Sequence, residues 1–488
     1  MTISTKRRTF LTGSLASMAL TVAPLVTHAE GKDKFDWSKT YDVIVVGSGG
    51  AGLSAAVAAA QNKASTVVIE KMDIIGGNTR ITGGAFNAVD PVEQEKKGIK
   101  DSVELHAEQT LKAGDYRGNP ELVKEFTKRA PEALQWLKDC GVVFLPGVYQ
   151  VYGGLHPRAH SSNKPFGLGY IEALENKCKE LNVPILLNTK VVRLIREGNL
   201  TGRVIGVEVL TKRGKTQFLR AVKGIVIASG GFSANPQARA LHDPRLYDLP
   251  TTNHKGATGD LISPAQDIGA EVVGMDYIQL LPGGATTGRF IGMVSPVESV
   301  IFVNKNGDRF VAEDNRRDVI ADAILGSPTK VVFGIRDADG YAAMNKGATK
   351  AFNGAFEIGD AVKADTLDEL AAKLQIPAEN LKKAVDTYNK AVDEKKDPFG
   401  RNPKMLIHKI EKGPFYAGRL TMAAHHTMGG LAINPRAQVM DRHGKPIPGL
   451  YAAGEVTGGV HGTNRVGGNA VAEIFTIGKI AGENASKD

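Results

Sequence analysis

The residues best suited to chemistry lie near the end of the chain, in HGTNRVGGNA at 461–470. Arg465 stands there between two glycine-rich turns, and a guanidinium presents a planar fork that grips a carboxylate with two parallel hydrogen bonds. Other proton-holding groups occur upstream, the adjacent His425 and His426 in HHTMGG. Cysteine carries no comparable signal. Only Cys140 and Cys178 are present, with no CxxC and no CxxCH, which leaves covalent haem and structural zinc without support. Adjacent histidines tend to point apart, so no metal site is expected at 425–426 either.

Such groups need a scaffold, and residues 41–71 supply its first unit. YDVIVVG is a continuous apolar run of the kind buried on both faces of a parallel sheet. The alanine-rich stretch after it favours a helix, and STVVIEK predicts a second strand. Between strand and helix, Gly47, Gly49 and Gly52 form GxGxxG: a tight turn, a close approach of backbone to pyrophosphate, and close packing of helix on strand. The helix N-terminus would then face phosphate. Glu70 follows Gly47 by 23 residues, at the end of the second strand, where a carboxylate can accept from ribose hydroxyls. Two more glycine clusters, at 76–88 and 454–469, imply contacts well beyond a pyrophosphate, and so FAD rather than NAD.

Downstream, helical spacing marks 100–140. TKVVRLI, VIGVEVLT and TQFLRAV predict an antiparallel meander over 186–222, with a separate buried strand at 224–231. Residues 240–355 show no clean period and suit an inserted domain; 360–395 are helical, and YAAGE at 451–455 closes with a strand and turn. At the start, Lys6-Arg7-Arg8, an apolar run from Phe10 to Val26 and a small-residue site ending at Ala29 form a targeting segment, whose KRRTFL resembles a twin-arginine export signal. A periplasmic mature protein without a membrane span is expected. Cleavage would remove three basic residues and no acidic one, taking the net charge from +9 to +6. That charge is mild, and no basic run is interleaved with aromatics, so nucleic acid is not an expected partner.

GxGxxG, EK, GGNT, TGG, ASGGF at 228–232, ATGD at 257–260, HHTMGG at 425–430 and GLYAAGEVTGGVHGTNRVGGNA at 449–470 together resemble the FAD-dependent fumarate reductase and flavocytochrome c family. The resemblance runs in order over roughly residues 40–485, and points to a haem-free, exported member similar to periplasmic enoate reductases. It implies an α/β fold, a Rossmann-like FAD-binding domain with an inserted α+β capping domain. The expected boundaries are a signal at 1–29, FAD-binding segments at 30–240 and 356–488, and a cap at 241–355. Cofactor contacts are expected at Gly47, Gly49, Gly52, Glu70 and Lys71 in the first unit. Gly77, Asn78, Thr79 and Gly84 follow in the second cluster, and Gly230 and Asp260 in the middle. Glu455, Gly468, Asn469 and Ala470 complete the set. With no flavinylation signature, FAD is expected to be non-covalent.

Reducing a C=C bond conjugated to a carboxylate needs a hydride from flavin N5 to the β-carbon, a proton to the α-carbon, and cations to take up charge on the carboxylate. The resemblance gives the cationic role to Arg465 with His426 as partner, and the proton to Arg317, an arginine that residue chemistry alone would not select. One departure bears on the substrate. Fumarate-reducing relatives have I-Q-x-H-P where this chain has IQLLP, so Leu281 replaces a histidine that would hold a second carboxylate. Their Thr-Glu-Ala-Val-Arg run is also missing from GRFIGMVSPVES, 288–299, where Arg289 and Glu298 cannot be aligned with it. An acid with one carboxylate and an apolar far end, of acrylate, methacrylate or cinnamate type, is therefore expected; burying an unpaired charge beside Leu281 would be costly. The alternative is fumarate, with His156 or Arg158 supplying the missing contact. Other readings are a desaturase of ketosteroid type, which needs a tyrosine acid/base arrangement, and an electron-transfer flavoprotein without chemistry of its own. Lacking CxxCH, the chain would draw electrons from a separate periplasmic c-type cytochrome, as a reductase of anaerobic respiration.

Overall fold

The computed structural model describes residues 35–151, 153–198 and 200–488. The expected targeting segment, 1–29, lies outside them. Trp37–Asp488 forms one compact unit built on two large sheets.

The strands of these sheets are, in chain order, β1 (Trp37–Val46), β2 (Thr66–Ile69), β3 (Ile185–Leu186), β4 (Thr189–Arg196), β5 (Val204–Thr211), β6 (Thr216–Ile227), β7 (Ile278–Gly284), β8 (Ile301–Val303), β9 (Val331–Arg336), β10 (Ala361–Ala364), β11 (Phe415–Thr427), β12 (Gln438–Met440) and β13 (Pro446–Ala452). The first sheet has the order β12-β13-β6-β1-β2-β3, with the β4–β5 hairpin attached to β6. Its centre is parallel: β1 pairs β2 and β6, and β6 pairs β13. Val43 to Val46 are buried because this strand is covered on both faces.

Helix α1 (Gly50–Gln61) crosses from β1 to β2, completing the expected βαβ unit. Four further helices matter to the site: α2 (Val103–Ala113), α3 (Pro120–Asp139), α4 (Arg317–Leu325) and α5 (Asn469–Ala485). α1 is buried from Gly50 to Ala59 because α5 lies directly on it. A Cβ at Gly478 or Gly482 would stand 2.5 Å from the Ala51 carbonyl oxygen or 2.1 Å from that of Ala55, so glycine lets the two backbones touch. The matched four-residue steps make the helices parallel, with their N-termini at one end.

The second sheet, β7-β11-β9-β8 with β10 on β11, is antiparallel and carries an apolar core on each side. It draws β10 and β11 from beyond residue 355. The expected strand at 224–231 is not separate. Lys223-Gly224 contains no turn, and β6 runs unbroken: β5 pairs antiparallel with its first half, β1 runs parallel to it from Phe218 to Ile227, and β13 joins its second half.

Candidate active site

The GxGxxG turn sits at the β1–α1 junction. Gly47 has φ +106°, and a Cβ on Gly52 would lie 1.9 Å from the Gly47 carbonyl oxygen, so both glycines are required by the turn itself. Gly49 differs: a Cβ there would find nothing closer than 4.0 Å, which leaves its backbone open to a ligand. Gly77 and Gly230 are similarly uncrowded, and the buried Ser229 hydroxyl beside Gly230 has no hydrogen-bond partner. Neither α1 nor α5 has a side-chain cap at its N-terminus. Two uncapped helix ends and an open glycine track suit a long anionic dinucleotide.

Other expected contacts are engaged within the protein. Glu70 ends β2 and accepts from the Ser48 backbone (2.9 Å), the Ser48 hydroxyl (2.6 Å) and the Met72 backbone (2.8 Å), which braces the phosphate-side loop. Thr79 Oγ1 accepts from Gly50 N at 3.0 Å. Lys71 Nζ pairs with Asp260 at 2.9 Å; burial pushes the Asp260 carboxyl up, but Lys71, Thr258 and Lys190 draw it down to about 2. Gly84 has φ +76° and lies against the Phe166 carbonyl. Asn469 is wholly buried, its side chain bonded to Asn87, His106 and Thr110, so only its backbone faces the helix end that Gly468 and Ala470 leave partly open. Glu455 ties three motifs together: it accepts from Thr427 N (3.0 Å), Asn78 Nδ2 (3.3 Å) and Ser233 Oγ (3.5 Å), and burial raises its pKa.

The catalytic candidates converge. Arg465 Nη2 donates to Gln279 Oε1 at 2.9 Å, and Arg317 Nη1 donates to the same oxygen at 3.2 Å. Gln279 Nε2 donates to Asn464 Oδ1 and to the Arg465 carbonyl, both at 3.0 Å, so this amide is fixed on three sides. Two guanidiniums sharing one acceptor repel each other by about 3 kcal/mol, taking a separation of roughly 5 Å and an effective dielectric near 20. Burial, then Arg317, brings the Arg465 pKa down to about 9. Gly153 admits the Arg317 guanidinium, since a Cβ there would stand 2.2 Å from Nη2.

Gln279 lies on β7, directly opposite His426 on β11. A bulge beside this pair takes His425 out of register, and His425 Nδ1 meets Thr252 Oγ1 at 2.8 Å. Burial, then Arg465, lowers both histidines well below their ordinary pKa, so each imidazole is neutral at pH 7 and can donate one N–H. Leu281 is two residues past Gln279, hence on the same face of β7, and is half-buried.

Sequence reasoning missed Gln279, whose signal was a lone amide inside the apolar run IQLLP. It also passed over His461 and Glu473, which line a small cavity with His426 and Glu455. Among the described residues neither His461 nitrogen has a hydrogen-bond partner, and Glu473 Oε1 has none. Burial takes His461 down to about 3 and Glu473 up to about 8, leaving both neutral at pH 7. Arg158, weighed as a second anchor, is buried and held by Asp101 at 2.9 and 2.7 Å. His156 meets the Lys100 carbonyl at 3.0 Å, and Arg289 is exposed on the turn after β7.

The FAD binding domain family matches residues 42–471. The acrylate reductase flavoprotein subunit of Shewanella woodyi is 32% identical over 97% of each chain. This chain belongs to the fumarate reductase flavoprotein family. Its cofactor is FAD. The open conformation of a flavocytochrome c3 fumarate reductase superposes with TM-score 0.80 at 34% identity, covering 93% of this chain and 79% of that one. The NADH:acrylate oxidoreductase of Vibrio harveyi is 35% identical over 94% of this chain and 52% of its own length, so this flavoprotein spans about half of that relative. Cys140 and Cys178 are free and buried, and among the described residues no helix is long and apolar enough to cross a membrane.

Proposed function

We propose that this flavoprotein is an exported reductase of the C=C bond of a small unsaturated monocarboxylate of acrylate or methacrylate type. The observation that carries the reading is the convergence of Arg465 and Arg317 on Gln279, with His426 across the strand pair. Arg465 takes the substrate carboxylate bidentately through Nε, which has no partner among the described residues, and the second hydrogen of Nη2, keeping its bond to Gln279, and neutral His426 donates a further hydrogen bond. Bound FAD supplies the hydride to the β-carbon. Arg317 gives the proton to the α-carbon, the role its family motif carries. The product gains two electrons and two hydrogens, and the burial of Arg465 and His426 keeps water from the reacting carbons.

The distal end favours a single carboxylate. Leu281 offers no donor there, and Arg158 is buried and paired with Asp101. FAD is held without a covalent bond. Electrons come from a separate periplasmic c-type cytochrome.

Steady-state oxidation of reduced methyl viologen under anaerobic conditions, with fumarate, acrylate, methacrylate, cinnamate and urocanate as acceptors, tests the reading. A monocarboxylate with the highest kcat/KM supports it. Fumarate leading the panel would keep the arginine pair and overturn the apolar distal side.

A further inference from the structure

Arg317 is the second half of an arginine pair, and its neighbour makes a separate set of contacts. Arg316 caps α4. Its guanidinium donates to both oxygens of Asp115, at 2.7 and 2.9 Å, and also to Asp318 at 3.0 and 2.6 Å. Asp115 lies just past α2, in the unit that carries the dinucleotide turn, whereas α4 packs on the second sheet. Asp115 is in turn bound to the segment that holds Arg465. Thr463 Oγ1 donates to it, Thr463 N donates to the Gly114 carbonyl at 3.2 Å, and Asn464 Nδ2 donates to the Ala113 carbonyl at 3.3 Å. Gly114 and Gly462 are in backbone contact: a Cβ on Gly462 would stand 2.2 Å from the Gly114 oxygen.

These contacts close a ring. From Arg465 it passes through Thr463 and Asp115 to Arg316, continues along the chain to Arg317, and returns through Gln279 to Arg465. The left-handed backbone of two successive non-glycine residues, Asp115 (φ +53°) and Tyr116 (φ +54°), is an uncommon conformation that presents the carboxylate to Arg316. Arg316, then Thr463, hold the Asp115 carboxyl down to about 2, so it stays charged.

We propose that Arg316 and Asp115 are positioning residues that latch the second-sheet unit onto the Arg465 segment and so set where Arg317 stands over the substrate. The physical need is the repulsion between the Arg317 and Arg465 guanidiniums, which acts to separate these two side chains until an anionic substrate lies between them. A half-exposed ion pair adds little to overall stability, but a bidentate one restricts direction. The inference rests on Arg317 as proton donor for its effect on turnover; its effect on local opening does not.

The test uses the FAD-loaded protein with Arg316→Gln, Asp115→Asn, the double variant and Arg316→Lys. Hydrogen exchange of residues 311–325 reads the latch without substrate: each single variant should exchange about tenfold faster there, and the double no faster than either single. With acrylate and reduced methyl viologen, kcat should fall about tenfold in both single variants and equally in the double, with partial recovery in Arg316→Lys. Raising salt should lower kcat of the wild type but not of the variants. Unchanged exchange in the single variants, or losses that multiply in the double, overturns the latch. Faster exchange with no turnover on any acid, wild type included, keeps the latch and removes the proposed reaction. Should Arg316→Gln fail to fold, Asp115→Asn, at a half-exposed position, gives the same reading.

Discussion

Gln279→Leu separates a shared acceptor from a bystander. The change keeps the side-chain size but removes the oxygen that accepts from Arg465 at 2.9 Å and Arg317 at 3.2 Å. A hydrogen bond to a charged group is worth about 1.5–3 kcal/mol, so losing one full and one longer bond costs about 3–4 kcal/mol. If that cost falls on placement of the two guanidiniums, kcat/KM should drop by roughly 10²–10³-fold, since about 1.4 kcal/mol is a factor of ten. Steady-state viologen oxidation with acrylate measures it, with flavin absorbance confirming FAD content and a thermal melt confirming the fold. Gln279→Glu should act differently: its carboxylate would occupy both arginines, raising KM more than it lowers kcat. A Gln279→Leu enzyme within threefold of wild type, with full FAD content, would refute the claim that this amide organises the pair.

Arg465 has a pKa near 9, so its charge is present below that pH and lost above it; kcat/KM should be flat from pH 7 to about 8.5 and then fall tenfold per unit. An activity profile from pH 6 to 10.5 with a viologen donor checks this. Glu473 titrates near 8 in the folded chain against an unfolded value of 4.5, so the fold holds a proton that the unfolded chain releases, and stability falls as pH rises between those values. Glu473→Gln should abolish that decline and exceed the wild type by a few kcal/mol at pH 8, on the order set by a raised buried carboxyl; denaturant titrations at pH 5, 6.5 and 8 measure it. Leu281→His should raise kcat/KM for fumarate at least tenfold relative to acrylate, read from the same acceptor panel.

The parts of the fold with local causes were legible. The run of β1, the GxGxxG turn and the alanine-rich α1 follow from apolar continuity, left-handed glycine and helix propensity, and they sit where the residues place them. β6 was divided because its polar middle resembles a turn; only its pairing with β1 all the way from Phe218 to Ile227 shows that it is one strand. The make-up of the second sheet was hidden because β11 joins it from 60 residues beyond position 355. At the site, the arginines stand out by their glycine surroundings. Gln279 and Asp115 do not, because their roles come from what faces them across a sheet or a gap: Gln279 is one amide in an apolar strand, and Asp115 one carboxylate after an amphipathic helix. Asn469 shows the converse, a motif residue whose side chain supports the interior.

A single turnover tests the central claim most directly. The FAD-loaded protein is reduced anaerobically with one equivalent of dithionite, mixed with acrylate, and followed by flavin absorbance in wild type and Arg317→Ala. The account predicts that acrylate restores the oxidised flavin spectrum of the wild type within seconds and forms one propionate per flavin. Arg317→Ala should bind acrylate and stay reduced at least 10³-fold longer, the scale of losing a general acid. A wild type that remains reduced with every unsaturated acid, or an Arg317→Ala protein that reoxidises as fast, would contradict it.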